Sequence, residues 1–560
     1  MADSDPNKNE ANSETTLSRM SRRDALALTS ALAALSVGAS DPAEAIGHRG
    51  ADKAGKKFNK GPQAPFDSIR DWVACLEANG LVMRVPRIDQ DRYHATALFF
   101  SMTDMYSTYA SPTVMFEELK VDGKWMQGPV IGNISGHWFC ECLAWGLEPD
   151  WNSYHNSYWK AMDYLGDMLE TNGGQYPQIP PVEMKRSKAP CKEVVLKGDE
   201  IDITSFPFIK TNPADGGRYV NTGSHFMVDP EMGPNFGTYR CQVRGPRELG
   251  VNPEPNQTNW KMLTAAKERG DKTANISIVI GQDPITWMIS GTRIALRFGP
   301  NPKPIDELAI AGGMRGKAID VVKSEDSDIL VPAHAEMVIE GTVDLQAPLK
   351  PEGPFGEMFG YLGQAKEENF WMTINTVTHR KNPWLMNAFT GMQKGSITAP
   401  FESLYTRFLR RQIPNLVAYH GPQYSMGVFH MTIDKTGPGQ GLEAGKKVVS
   451  GFGIAKIVIV LDKDVNVLDQ REVIAAVGAR WQPKDAYYVV DEGGGLFTDP
   501  SQPKYGRTSK IVIDATRKLP EEGGKETFAK SNRALLEEGA PEAMAEVQAE
   551  YMDLLRGWMS

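Results

Sequence analysis

The chain has 560 residues, 41% hydrophobic and 23% charged, enough to build a large core across two or three domains. Its net charge of −9 speaks against a nucleic-acid partner. Five cysteines (Cys75, Cys140, Cys142, Cys191 and Cys241), with no C-x-x-C pair, argue against a disulfide framework or a cysteine zinc site and read as buried thiols.

Residues 1–17 are polar and lack an apolar period. The stretch "SRMSRRDALALTSALAALSVGASDPAEA" follows, with Arg22-Arg23 ahead of an apolar run and a small-x-small site at Ala43-Glu44-Ala45. At about 14 residues the run is too short to span a bilayer. The layout over residues 1–45 is that of an export signal of the twin-arginine type, sending the chain to the periplasm; unused, it would leave the chain cytoplasmic. Residues 46–65 are rich in Gly, Lys and Pro and read as a linker. The spacing in Phe66–Val85 predicts a helix, a stop at Gly80 and a strand. Residues 90–200 mix short helices and strands. Strand-like runs dominate 201–345 ("GRYVNTGSHFMV", "FGTYRCQV", "NISIVIG", "AEMVIEGTVDL") and predict a β-rich core, read as a barrel. Helical spacing returns in Ile397–Ile413. Beyond it strands alternate with helices, the pattern of a second, α/β domain. Residues 519–560 are charged and read as a helical tail.

Four stretches carry chemistry. "KPEGPFGEMFGYLG" (Lys350–Gly363) sets Glu352 and Glu357 in a stiff loop among Phe355, Phe359 and Tyr361. A glutamate shielded there holds its proton more tightly than in solvent, which suits general acid–base work near neutral pH. "PNFGTYRCQVRG" (Pro234–Gly245) holds Asn235 and Arg240 five apart. On one strand they face opposite ways unless a bulge intervenes at Gly237. An Arg240–Glu352 pair would leave Glu357 as the movable proton carrier. "PIDELAIAGGMRG" (Pro304–Gly316) places Glu307 ahead of a small-residue run, where by itself it reads as a first-turn helix glutamate. "GPGQGLEAGKKVVSG" (Gly437–Gly451) reads as a phosphate-binding loop with Lys446 and Lys447 or as a surface loop. It lacks P-loop spacing.

Together these stretches resemble the UbiD family of prenylated-FMN-dependent (de)carboxylases, from about Phe66 to about Lys518 of this sequence. The resemblance rests on an L-E-x-x-G opening, "DGGRYVNTG" (Asp215–Gly223), N-x-x-x-x-R at Asn235–Arg240, "DELAIAGGMRG", "VPAHAEMVIEG" (Val331–Gly341) and, most specifically, "PEGPFGEMFGY". It implies that Glu357 is the acid/base, supported by Arg240 and Glu352. It implies a cofactor cradle from Asn235, Phe236, Gly237, Thr238, Tyr239, Arg240, Gln257 and Lys446, the lysine touching the cofactor phosphate. Asn235 and Glu307 match ligands of a divalent metal, usually Mn2+, with K+ as a further ion. Many members add a histidine ligand after the arginine strand. Here Glu248–Leu263 contains none, and Gln257 or Asn256 falls nearest. The implied fold is α/β (α+β): a split-barrel, flavin-reductase-like cofactor domain (66–396), a linker helix (397–415), an α/β oligomerisation domain (416–518) and a helical tail (519–560). The implied activity is reversible non-oxidative decarboxylation of an aromatic, heteroaromatic or α,β-unsaturated acid, releasing CO2. The implied partners are a flavin prenyltransferase that supplies the cofactor and a second copy in a homodimer or homohexamer. A fold of this kind kept only for binding is the alternative.

Overall fold

In the computed structural model, residues 61–255, 257–295, 305–358, 360–451 and 453–557 are described. The expected export signal, most of the linker, Asn256 and Phe359 lie outside them. Everything below belongs to one compact unit, Lys57–Ile294 with Asp306–Ser560.

The helix expected after Phe66 runs Ile69–Ala78. The Ser68 hydroxyl accepts from the Asp71 N–H as its N-cap, and Gly80 turns out of it at φ 73° into the strand Val82–Asp89. Ile69, Trp72, Val73 and Leu76 form the buried face.

The expected β-rich core is a ten-stranded sheet. Its main path runs Tyr219–Val220, Cys241–Gly245, Glu248–Val251, Lys366–His379, Met337–Asp344, Thr273–Ile280, Ser224–Asp229 and Gly233–Thr238. Lys350–Glu352 and Val194–Lys197 also pair with the long Lys366–His379 strand. The middle is built from Ile276, Ile278, Ile280, Met337, Ile339, Ile374 and Val377, all fully or nearly buried. Gly233–Thr238, which carries Asn235, is the last strand on that path.

The helix expected at Ile397–Ile413 spans Ala399–Arg410. After it comes a separate five-stranded sheet, ordered Leu416–His420, Val428–Ile433, Ile457–Asp462, Arg507–Asp514 and Tyr487–Gly494. Its three central strands are parallel and its two edges antiparallel, the α/β pattern read from the sequence. The glycine-rich stretch read as a loop is mostly helix: Gln440–Gly451 is helical and only residues 437–439 ahead of it are loop. A Cβ at Gly445 would lie 2.2 Å from Val512 Cγ1, so that glycine lets the helix press onto the sheet. The tail forms helices Asn532–Gly539 and Ala543–Gly557. All five cysteines are buried and free. No helix among the described residues is long and apolar enough to cross a membrane.

Candidate functional site

Strand Gly233–Thr238 pairs antiparallel with Ser224–Asp229 in one unbroken register, Ser224 opposite Thr238 through Asp229 opposite Gly233. There is no bulge at Gly237. Parity is broken later: Tyr239 and Arg240 lie between the strand ending at Thr238 and the one starting at Cys241. Arg240 is thus free of the alternation that governs Asn235. Phe236 stacks on Phe226 with centroids 4.5 Å apart, Thr238 Oγ1 lies 2.6 Å from Ser290 Oγ, and a Cβ on Gly237 would sit 2.6 Å from the Tyr239 hydroxyl oxygen. Tyr239 packs edge-on to His225 at 5.1 Å. These residues form one tightly filled strip of backbone.

At its far end Arg240 meets both loop glutamates. Its Nε and Nη2 donate to Oε1 and Oε2 of Glu352 at 3.0 and 2.8 Å, and its Nη1 donates to Oε1 of Glu357. The guanidinium is 8% exposed, the Glu352 side chain 0% and the Glu357 side chain 14%. Phe355 stands 5.0 Å from the guanidinium carbon, and Tyr219 packs on Phe355 beside Glu352. Two carboxylates on one buried cation are a charge-assisted network in a dry place, where each bond counts for more than in water. Burial pushes the Glu357 carboxyl above its ordinary value; Arg240 opposes this and the nearby Glu254 carboxylate adds to it. Burial disfavours charge on Arg240, but its bonds to Glu352 and the charge of Glu357 outweigh that and raise its affinity for the proton.

The sequence motifs around the loop act as braces. Asp215 Oδ1 accepts from the Gly356 N–H at 2.8 Å, and the Gly216 N–H donates to the Pro354 carbonyl at 2.7 Å. A Cβ at Gly216 would lie 2.2 Å from the Gly353 carbonyl oxygen, so the "DGG" run is where two backbones touch.

Glu307 opens helix Glu307–Arg315, and its Oε2 accepts from the Phe236 N–H at 3.1 Å, next to Asn235. The Asn235 side chain, 9% exposed, donates to Oδ1 of Asn259 at 2.7 Å. Gln257 takes another direction. Its Oε1 accepts from the Glu254 N–H at 2.6 Å, within its own loop. The amide that the fold brings to Asn235 is therefore Asn259, missed in the sequence. A helical spacing of buried positions, Asn259, Met262, Leu263 and Ala266, marks it. Lys446 has other partners in this structure. It sits on the Gln440–Gly451 helix, bonded to Glu443 at 2.7 Å and 5.1 Å from the Tyr488 ring.

Glu254 was also missed. Its Oε1 accepts from Lys366 Nζ at 2.6 Å and its Oε2 from the Tyr505 hydroxyl at 2.7 Å, which ties a loop of the C-terminal sheet to the neighbourhood of Glu357. No group of three or more His, Cys, Asp or Glu side chains placed to hold a metal occurs among the described residues. The group at Asn235 is of another kind: the Asn235 amide and the Glu307 carboxylate, with the Asn259 amide bonded to Asn235 and to the His225 carbonyl. Such oxygens are hard ligands suited to Mn2+ or Mg2+.

Comparison with known proteins gives two family matches. Residues 182–393 match the 3-octaprenyl-4-hydroxybenzoate carboxy-lyase Rift-related domain of UbiD, and residues 396–515 match its C-terminal domain. Between them they take in more than half of the chain. An uncharacterized protein of Aeropyrum pernix is 33% identical over 342 residues, 59% of this chain and 68% of the relative. An uncharacterized protein of Synechocystis is 31% identical over 60% of this chain and 66% of the relative. The chain thus spans about two thirds of the length of the curated relatives it matches. Among solved structures, vanillic acid decarboxylase of Sedimentibacter hydroxybenzoicus in open form is 25% identical with a TM-score of 0.71, covering 86% of this chain and 99% of that one. The UbiD-class enzyme HmfF of Pelotomaculum thermopropionicum in complex with FMN is 25% identical with a TM-score of 0.68, covering 83% and 98%.

Proposed function

The chain belongs to the UbiD family, and from that premise we propose that it is a prenylated-FMN-dependent, reversible, non-oxidative decarboxylase of an aromatic, heteroaromatic or α,β-unsaturated carboxylic acid. The observation that carries the reading is the fork of buried Arg240 between a sealed Glu352 and a partly exposed Glu357. The decarboxylase and the FMN-bound UbiD-class enzyme that resemble the chain support a flavin and a carboxylic acid as its ligands.

The residues present fit the implied groups. Asn235 and Glu307 would hold a divalent cation, Mn2+ by family resemblance, which would neutralise a cofactor phosphate, and Asn259, whose Oδ1 accepts from Asn235 Nδ2, would orient the Asn235 amide. The strip from Phe236 to Arg240 would carry the flavin. Gln257 and Lys446, which the resemblance adds to this set, are bonded to Glu254 and to Glu443 respectively in this structure. When bound, the prenylated flavin supplies the electron sink that decarboxylation requires.

The protein's own work is to hold and move a proton. Glu352 spends both oxygens on Arg240 and fixes the guanidinium. Nη1 of Arg240 orients Glu357. Burial keeps a proton on Glu357 to higher pH than an ordinary glutamate. Glu357 delivers that proton to the carbon that CO2 has left, and withdraws it in the reverse direction. Phe355 on the guanidinium keeps water from competing.

The same proposal includes export of the folded, loaded chain by the twin-arginine route, a flavin prenyltransferase as cofactor supplier, and a homodimer or homohexamer built through the C-terminal domain. Outside the cell's ATP supply, decarboxylation is the natural direction. The histidine-free metal set favours one second reading, a UbiD-like binding protein without catalysis. A panel of unsaturated and aromatic acids, offered to the loaded wild type and to Glu357→Gln, separates the two. General acid–base catalysis predicts a loss of about 10²–10⁴ in turnover with flavin content unchanged. Equal turnover by both proteins would remove Glu357 from the chemistry, and no turnover by the loaded wild type would favour the binding protein.

A further inference from the structure

The segment "MNAFTGMQKGSITAP" (Met386–Pro400) has no role in the mechanism above. It crosses the turn that carries Glu357 and meets it at three points. The Thr390 hydroxyl donates to the Gly356 carbonyl at 2.7 Å. Gly391, at φ 78°, approaches Gly360 so closely that a Cβ on it would lie 2.4 Å from Gly360 Cα. A Cβ on Gly395 would lie 2.8 Å from Met358 Cε. Gly356 and Gly360 bracket Glu357, so these contacts fall on both sides of the carboxylate.

Apart from the Asp215 and Gly216 braces at its start and the Arg240 bond to the Glu357 side chain, the turn is held by little else. Two backbone bonds close it, Glu357 N–H to Tyr361 O and Gly360 N–H to Glu357 O, each 2.9 Å. Its strands, Phe355–Gly356 and Leu362–Gly363, are two residues each, and Met358, Tyr361 and Leu362 are exposed. Short ladders with exposed side chains open readily. The crossing segment, by contrast, is anchored along its length. The Asn221 side chain bonds both backbone groups of Ala388 at 2.9 Å, and the Thr103 hydroxyl donates to the Met392 carbonyl at 2.9 Å. Gln393 accepts from the Asn133 N–H at 3.0 Å, and the fully buried Lys394 donates to Glu141 at 2.5 Å.

We propose that Thr390 and Gly391 are positioning residues: a rigid strap, pinned elsewhere in the fold, holds the turn so that Glu357 keeps its place against Arg240. The inference rests on the acid/base reading of Glu357 for its consequence in turnover, though not for its consequence in backbone mobility. A displacement of about 1 Å costs on the order of 10²-fold in rate, so the strap matters even though it does not touch the reacting atoms.

The test uses the full chain with Thr390→Val, which keeps shape but loses the hydroxyl, Thr390→Ser, which restores it, and Gly391→Ala. Amide hydrogen exchange over residues 355–363 and turnover of the best acid in the panel are the readouts. Thr390→Val and Gly391→Ala are expected to exchange about tenfold faster there or more. Their kcat falls about 10- to 100-fold with KM within about twofold, and Thr390→Ser returns both readouts toward wild type. Wild-type exchange and turnover in Thr390→Val, or a Thr390→Ser no better than Thr390→Val, would overturn the proposal. If Gly391→Ala fails to fold, the two threonine variants decide. A Glu357→Gln that keeps its turnover would overturn the acid/base reading, while the exchange result would still decide the strap.

Discussion

Arg240 has three donors engaged with two carboxylates, and the difference between those carboxylates carries the account at the scale of single residues. Glu352 is fixed by two bonds; Glu357 has one and keeps some exposure. The proton affinity of Glu357 gives a thermodynamic signature. Burial raises its folded value above the ordinary 4.5, so the folded chain keeps a proton that the unfolded chain has already released. The stability this contributes is present below about pH 4.5 and is lost as pH rises through the folded value. The unfolding free energy of wild type relative to Glu357→Gln should therefore decline above that pH in denaturant titrations; a flat or rising difference would contradict the assignment. A second residue-scale prediction concerns the metal. Asn259→Ala should lower bound Mn2+ in the loaded protein by elemental analysis, because Asn259 holds the Asn235 amide, and Gln257→Ala should leave it unchanged, because the Gln257 oxygen is bonded within its own loop. The two glutamates and Arg240 were legible because their loop and spacing are distinctive. Asn259 was not, because a one-dimensional search for the nearest amide ignores helix phase. Gln257 stands at the N-cap position with its side chain bonded back into the preceding loop, while Asn259, two residues on, turns inward.

Elements show where glycine misled and where it informed. Gly441 and Gly445 read as loop punctuation but lie in a helix, where a missing side chain lets the helix sit on the sheet. Gly312 and Gly313 of "AIAGGMRG" do the same against the backbone of residues 177–179: a Cβ on Gly313 would lie 1.9 Å from the Pro177 carbonyl oxygen. In both cases the local signal is entropy-costly glycine and the tertiary reason is close approach. The start of the linker helix is fixed by a buried carboxylate instead. Glu141 accepts from the N–H groups of Thr398 and Ala399 at 2.9 and 3.1 Å and from Lys394, with both charged side chains fully buried. Removing one partner leaves an uncompensated charge. Lys394→Met is thus expected to cost about 3–5 kcal/mol by denaturant unfolding. A cost within about 0.5 kcal/mol, typical of a surface site, would mean that the pair does not anchor the helix.

At the scale of the whole molecule, the ten-stranded and five-stranded sheets centre on separate apolar clusters, joined by aromatic packing of Tyr109, Trp138 and Tyr158 on His420 and by a few polar groups. Glu402 on the linker helix bonds His420 Nδ1, the Gly421 N–H and the Tyr158 hydroxyl, and Tyr505 reaches from the C-terminal sheet to Glu254 near the site. The order of sheets and helices was readable from strand-like runs followed by alternation. Pairings such as Tyr505 with Glu254 were not, because nothing local marks two residues 251 positions apart as neighbours. The central claim is that this architecture holds prenylated FMN with a divalent metal for decarboxylation. The measurement that tests it most directly is to produce the chain from Ile46 onward together with a flavin prenyltransferase, purify it without oxygen, and take the absorption spectrum, the mass of the released flavin and the metal content. Prenylated FMN and Mn2+ should be recovered in near-stoichiometric amounts. A folded protein that emerges with neither would contradict it.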